Sequence, residues 1–232
     1  MVPDLLGYGE VPAPTSADNF SLDEEVDAIE RALSRRWGTE GPLHVVGHSY
    51  GGAVAWRFAL RNPHRIKSLA LFEPVTMWFL EHEPEAESFV SLANWISHTV
   101  GAGLLMQAAE RFVDFWSGAG TFNLLPAERQ SAVAQRIGKV KLDFVACGAE
   151  RSGLPKPQAM QMPALLMNGS EAMAFMRTNM RVLRRAFAKC FTAEVLGGHM
   201  APVESRDQVN AVIAAFIRRS EYDVASRGFL AT

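Results

Sequence analysis

Gly47-His48-Ser49-Tyr50-Gly51-Gly52 places one serine between glycines at G-x-S-x-G spacing, a pattern suited to a hydroxyl nucleophile. The glycines allow a tight, strained turn where a Cβ would clash, so the hydroxyl can be held out from the chain. The N–H of Tyr50, at the start of a following helix, could then face an oxyanion developing on a bound carbonyl. A serine hydroxyl is a poor nucleophile at neutral pH and needs an adjacent base to take its proton. Of the six histidines, His199 alone combines a glycine-flexed loop, Gly197-Gly198, with a place late in the chain. His44, His48, His64, His82 and His98 read as surface or capping residues.

The elements around these residues would bring them together. Leu43-His44-Val45-Val46 is short, β-branched and glycine-bounded, which predicts a buried strand ending at the serine. Tyr50 to Leu60 reads as helix, stopped before Asn62-Pro63, and Ile66 to Phe72 as a second strand. Strand, helix and strand in so short a span make a βαβ unit with parallel strands. A helix opens upstream at Ser21, where Ser21 and Glu24 match a capping box ahead of Leu22, Val26, Ile29, Leu33 and Trp37. Near the C-terminus, Ala164 to Met167 and Phe191 to Leu196 read as strands flanking a helix around Met176 to Phe187. The latter strand leads into His199. A last helix starts at Ser205, where Ser205 and Gln208 could form a capping box, and residues beyond Ser220 read as a loose tail.

Met77 to Met162 contains no convincing strand. Helical stretches are expected over Ala86 to Val100, Leu104 to Trp116, Pro126 to Ile137 and Val140 to Cys147. Trp78, Trp95, Trp116 and the ten methionines would line an adaptable apolar pocket or, as such residues more often do, fill helix-packing core.

Pro3-Asp4-Leu5-Leu6-Gly7-Tyr8-Gly9, the Gly47–Gly52 segment and Gly198-His199 resemble three successive landmarks of the α/β-hydrolase superfamily. The resemblance runs to about Ile217 and implies an α/β fold with a mostly parallel, eight-stranded sheet and a Ser–His–acid triad. It implies a partial hydrolase core in residues 1–76 and 163–232, with a helical cap insertion at 77–162. Ser49 would attack an ester-like or other acyl bond of a small, largely apolar substrate, and His199 would move the proton. Tyr50 would give an oxyanion N–H. A non-catalytic ligand-binding protein using the same pocket is the alternative, and a cofactor-free perhydrolase or C–C hydrolase a third reading.

Two departures from the family pattern matter. The usual acid position falls on Ala172 of Gly169-Ser170-Glu171-Ala172, one residue beyond Glu171. Some members place the acid instead after the strand that follows the nucleophile helix, where this chain has Phe72-Glu73-Pro74. Glu73 is the preferred acid and Glu171 the alternative, although Glu73 could equally be a strand-end carboxylate bonded to backbone. Secondly, Pro3 to Gly9 resembles the loop after the family's fourth strand, so the earlier strands and the HG-type oxyanion loop would lie upstream of Met1. On that reading the chain as given is a weak or inactive hydrolase. It would self-associate through an unpaired edge at Leu43 to Val46.

A formal charge of -2 gives no basic field for nucleic acid or an anionic membrane, which leaves small molecules as the expected partners. Cys147 and Cys190, far apart and outside any ligand spacing, make neither a disulfide framework nor a metal site. No signal-like segment or long apolar run occurs, so the expected location is cytoplasmic. No Walker-type loop or GxGxxG occurs either, and no cofactor or metal is expected.

Overall fold

Parallel strand pairing organises one of two units, built from Trp37–Phe79 and Gly153–Thr232. The structure is a computed structural model and describes residues 1–14, 19–38, 41–80, 83–150, 153–156 and 158–229. The strands are β1 (Leu43–His48), β2 (Ile66–Phe72), β3 (Ala164–Gly169) and β4 (Cys190–Val195), hydrogen-bonded in that order and all parallel. The helices are α1 (Leu22–Trp37), α2 (Ser49–Arg61), α3 (Glu87–Gly101), α4 (Leu105–Ser117), α5 (Thr121–Leu124), α6 (Ala127–Ala149), α7 (Ala174–Arg184), α8 (Ala201–Glu204) and α9 (Arg206–Phe229).

β2 is buried along nearly its whole length, as the apolar run Leu69–Phe72 demands of a strand covered on both faces. Ala70 and Phe72 join Leu165, Met167 and Val195 in a cluster closed by Val209 and Phe216 of α9. The alternate residues Leu69, Leu71 and Leu166 are equally buried and point to the opposite face. There α2 packs on β1 and β2, and α7 on β3. Trp56 of α2 is fully buried, edge-on to both Phe79 and Phe187. Four strands are present among the described residues, against the eight that the resemblance implies, and β1 is an outer strand with Val46 49% exposed.

The other unit, Met1–Arg36 with Leu80–Ser152, is built from helices and their connecting turns, with no strand among its described residues. Leu92, Ile96, Ala108 and Ile137 form one core cluster in it, with Phe112 and Phe144 packed against them. Residues 1–36, expected to belong with the sheet, group here with the helices of 80–152 instead. A buried ionic cluster explains the grouping. The Lys139 ammonium on α6 pairs with Asp143 and with Glu25 of α1, the latter at 3.0 Å. Tyr8 donates its hydroxyl to Asp143 Oδ2 at 2.5 Å, and the Leu6 N–H donates to Glu25 Oε2 at 2.9 Å. Burial pushes the Asp143 carboxyl up to about 6 despite the Lys139 charge beside it. Trp116 is buried against Phe89 and Phe115 in this unit, whereas Trp95 is exposed.

Three expectations about the helices are corrected. The stretches expected over Pro126–Ile137 and Val140–Cys147 are one helix, α6, running through Gly138. A lone interior glycine costs only about 1 kcal/mol, and Ile137 and Val140 on either side of it both pack into one core. No loose tail begins after Ser220, because α9 continues to Phe229. Glu221 anchors it through Lys67 at 2.9 Å and His44 at 2.6 Å. Ser205 and Gln208 do not form a capping box. The Gln208 side-chain oxygen instead accepts the Leu196 N–H at 3.0 Å, serving the backbone just past β4.

Candidate functional site

Ser49 sits where β1 gives way to α2, with its backbone in the left-handed region at φ 53°. A Cβ on Gly47 would come 2.6 Å from the Gly51 carbonyl oxygen, so glycine is required there. Gly51 itself faces open space and needs no such explanation. The Ser49 carbonyl accepts the Val75 N–H at 3.0 Å, tying this turn to the segment after β2. Tyr50 is the second residue of α2, which sets its N–H in the helix's first turn.

Glu73 directly follows β2 and is fully buried, also at positive φ (39°). Its carboxylate has two fixed partners: Oε1 accepts the Gly169 N–H at 2.9 Å, and Oε2 lies 2.8 Å from His199 Nδ1. The segment behind it is held by Asn179 of α7. The Asn179 side-chain amide donates to the Pro74 carbonyl at 2.8 Å and accepts the Thr76 hydroxyl at 2.8 Å.

His199 is 5% exposed and follows β4 through Gly197, at φ 107°, and Gly198. Its Nε2 lies 2.9 Å from Ser49 Oγ. A carboxylate only accepts, so the neutral ring carries its proton on Nδ1, leaving Nε2 to accept from the Ser49 hydroxyl. The loop carrying His199 runs hard against the end of β3. A Cβ on Gly169 would meet the Gly197 carbonyl oxygen at 2.2 Å. Ser49, Glu73 and His199 thus converge at the carboxyl ends of the strands, within one unit. Glu171 does not join them: it is exposed, and its backbone N–H bonds the Gly197 carbonyl at 3.0 Å.

Two further residues bear on this geometry, and motif reading singled out neither. One is Asn179. The other is His48, expected to be a surface or capping residue but half-buried here, its Nε2 2.9 Å from the His199 carbonyl oxygen. A carbonyl only accepts, so His48 carries its proton on Nε2. Burial, then the facing His199 ring, lowers its pKa to about 4, so it is neutral near pH 7. Its place beside Ser49 at a strand end was the available signal. His64 and His98 are exposed, His44 bridges Ser68 and Glu221, and His82 lies outside the described residues.

Among the described residues no group of three His, Cys, Asp or Glu side chains could hold a metal ion. Nor is any helix there long and apolar enough to cross a membrane. Burial pushes the Cys190 thiol up to about 11 and the Cys147 thiol well above its usual range, so neither forms a thiolate readily.

Residues 1–205 match the family described as alpha/beta hydrolase fold, and the chain belongs to that family. The lipase LipV of Mycobacterium tuberculosis is 40% identical over 72 residues, covering 31% of this chain and 26% of the relative. Lipase 1 of Psychrobacter immobilis is 37% identical over 78 residues, covering 34% and 24% respectively. The chain therefore spans about a quarter of the length of these curated relatives. Among solved structures, an alpha/beta hydrolase enzyme, MGS-M2, from a Medee basin deep-sea metagenome library superposes with a TM-score of 0.72. It is 16% identical, over 92% of this chain and 77% of that one, a likeness of fold.

Proposed function

We propose that the chain hydrolyses an ester-like or other acyl bond of a small, largely apolar substrate through an acyl-enzyme on Ser49. The observation that carries this reading is the unbroken run of contacts from Ser49 Oγ to His199 Nε2, at 2.9 Å, and from His199 Nδ1 to Glu73 Oε2, at 2.8 Å. As Ser49 attacks the carbonyl carbon, its proton passes to His199 Nε2, and Glu73 stabilises the imidazolium so formed. The Tyr50 N–H, at the start of α2, supports the negative oxygen. The imidazolium then returns its proton to the leaving group. A water, deprotonated by His199, releases the acid and restores the serine.

Serine chemistry narrows the bond class. Attack on an acyl carbon gives an ester that water can cleave through a second tetrahedral intermediate. Attack on an epoxide would leave an ether that the same base cannot open. The likeness to the lipase LipV favours a carboxylic ester within that class. A fluorophosphonate probe tests the proposal: the wild type is labelled and Ser49→Ala is not. Equal labelling of both would defeat it. Stabilisation by a panel of esters, with neither labelling nor turnover, would instead mark a binding protein.

A further inference from the structure

We propose that His48 is a positioning residue that holds His199 at the working distance from Ser49. The inference rests on the reading of Ser49, His199 and Glu73 given above and adds a fourth side chain to it.

Adjacent residues at the end of β1 reach the two ends of His199. Ser49 Oγ meets the imidazole Nε2 at 2.9 Å, and His48 Nε2 meets the main-chain oxygen, also at 2.9 Å. The nucleophile and the tether of its base therefore move as one piece. Such a tether is useful because His199 follows two glycines, whose backbone has little preference of its own. Bonds from the Gly197 N–H to the Ser170 hydroxyl oxygen and from the Glu171 N–H to the Gly197 carbonyl fix the start of the loop. His48 fixes it at the base itself.

His48 is in turn held edge-on to Phe72, with ring centroids 5.6 Å apart, and its ring lies 4.8 Å from that of His199. Its chemistry suits the task. A lysine or arginine could donate the same bond but would set a permanent cation beside the imidazolium that forms on His199. A neutral imidazole donates without that repulsion, and burial keeps this one neutral near pH 7.

The test compares two substitutions on the full chain. His48→Phe keeps the ring and its packing but removes the donor. His48→Gln carries an N–H near the place of the imidazole Nε2. The labelling rate with a fluorophosphonate should fall about 10- to 100-fold in His48→Phe, the scale of a small misplacement of reacting groups. His48→Gln should recover most of that rate. With a p-nitrophenyl ester the loss should appear in kcat rather than KM, since His48 is assigned no substrate contact. If His48→Phe lacks the circular dichroism of the wild type, His48→Asn, whose amide stops short of the carbonyl, takes its place with the same expectation. Wild-type labelling in the donor-free variant, or equal slowing in the Phe and Gln variants, overturns the inference. Ser49→Ala separates the two claims: labelling that survives it defeats the triad reading, whereas labelling lost there but intact in His48→Phe defeats only the role of His48.

Discussion

The Gly169 N–H donates to Glu73 Oε1 over 2.9 Å and so decides how any amide at position 73 must lie. In Glu73→Gln that N–H still demands an acceptor, which turns the glutamine NH₂ toward His199 Nδ1. The His199 proton would then move to Nε2, where the base must be free to accept. Activity should fall by about 10⁴, the scale seen when a triad imidazole is held in the wrong tautomer. Rates of ester turnover check this, and Glu171→Gln should leave them at the wild-type level.

Asn179 uses both ends of its amide on the segment that follows Glu73. Asn179→Leu takes the amide donor from the Pro74 carbonyl, which keeps the Thr76 N–H at 2.9 Å, and leaves the buried Thr76 hydroxyl without its acceptor, which should cost about 1–3 kcal/mol. Urea denaturation measures that loss. Activity should fall in the same variant while it remains folded, because the segment carries Glu73.

His48 makes stability depend on pH. Its pKa is lowered from 6.5 to about 4 in the folded chain, so between those values the unfolded state binds the extra proton. The stabilisation is therefore complete above about pH 6.5 and is lost as pH falls toward 4, by about 3 kcal/mol in all. Denaturation midpoints from pH 7 to pH 4 should show a smaller decline in His48→Phe than in the wild type.

Asp143 predicts the opposite slope in the helical unit. Its carboxyl is raised from 3.8 to about 6, so there the folded state binds the extra proton as pH falls. Amides of α6 should be better protected from hydrogen exchange at pH 5 than at pH 7, after correction for intrinsic rates. Asp143→Asn should flatten that difference.

Local signals made the sheet legible. Ile66–Phe72 is a strand in its full expected extent, and its apolar stretch Leu69–Phe72 is buried on both faces as a covered parallel strand requires. The serine turn was equally plain, since strand, glycine and helix follow one another without interruption. Non-local partners were not. Nothing near Tyr8 or Glu25 announces that Lys139 and Asp143, more than a hundred residues away, will draw residues 1–36 toward the helices. The same holds for Glu73, whose two readings were an acid and a strand-end carboxylate. Its two oxygens face Gly169 and His199 separately, so the strand-end bond to backbone leaves the second oxygen for the role proposed above. The break expected between Ile137 and Val140 is absent for a different reason: the core on both sides of Gly138 is continuous.

Ser49 and Glu73 both hold a left-handed backbone, at φ 53° and 39°. Each such residue costs on the order of 1–3 kcal/mol that a glycine would largely avoid. Ser49→Gly and Glu73→Gly should thus shed backbone strain at the same stroke that removes the proposed nucleophile or its proposed supporting acid. Drift toward a more relaxed fold and drift toward an inert protein would begin with the same two codons, and a lineage that had abandoned this chemistry would have reason to change them first.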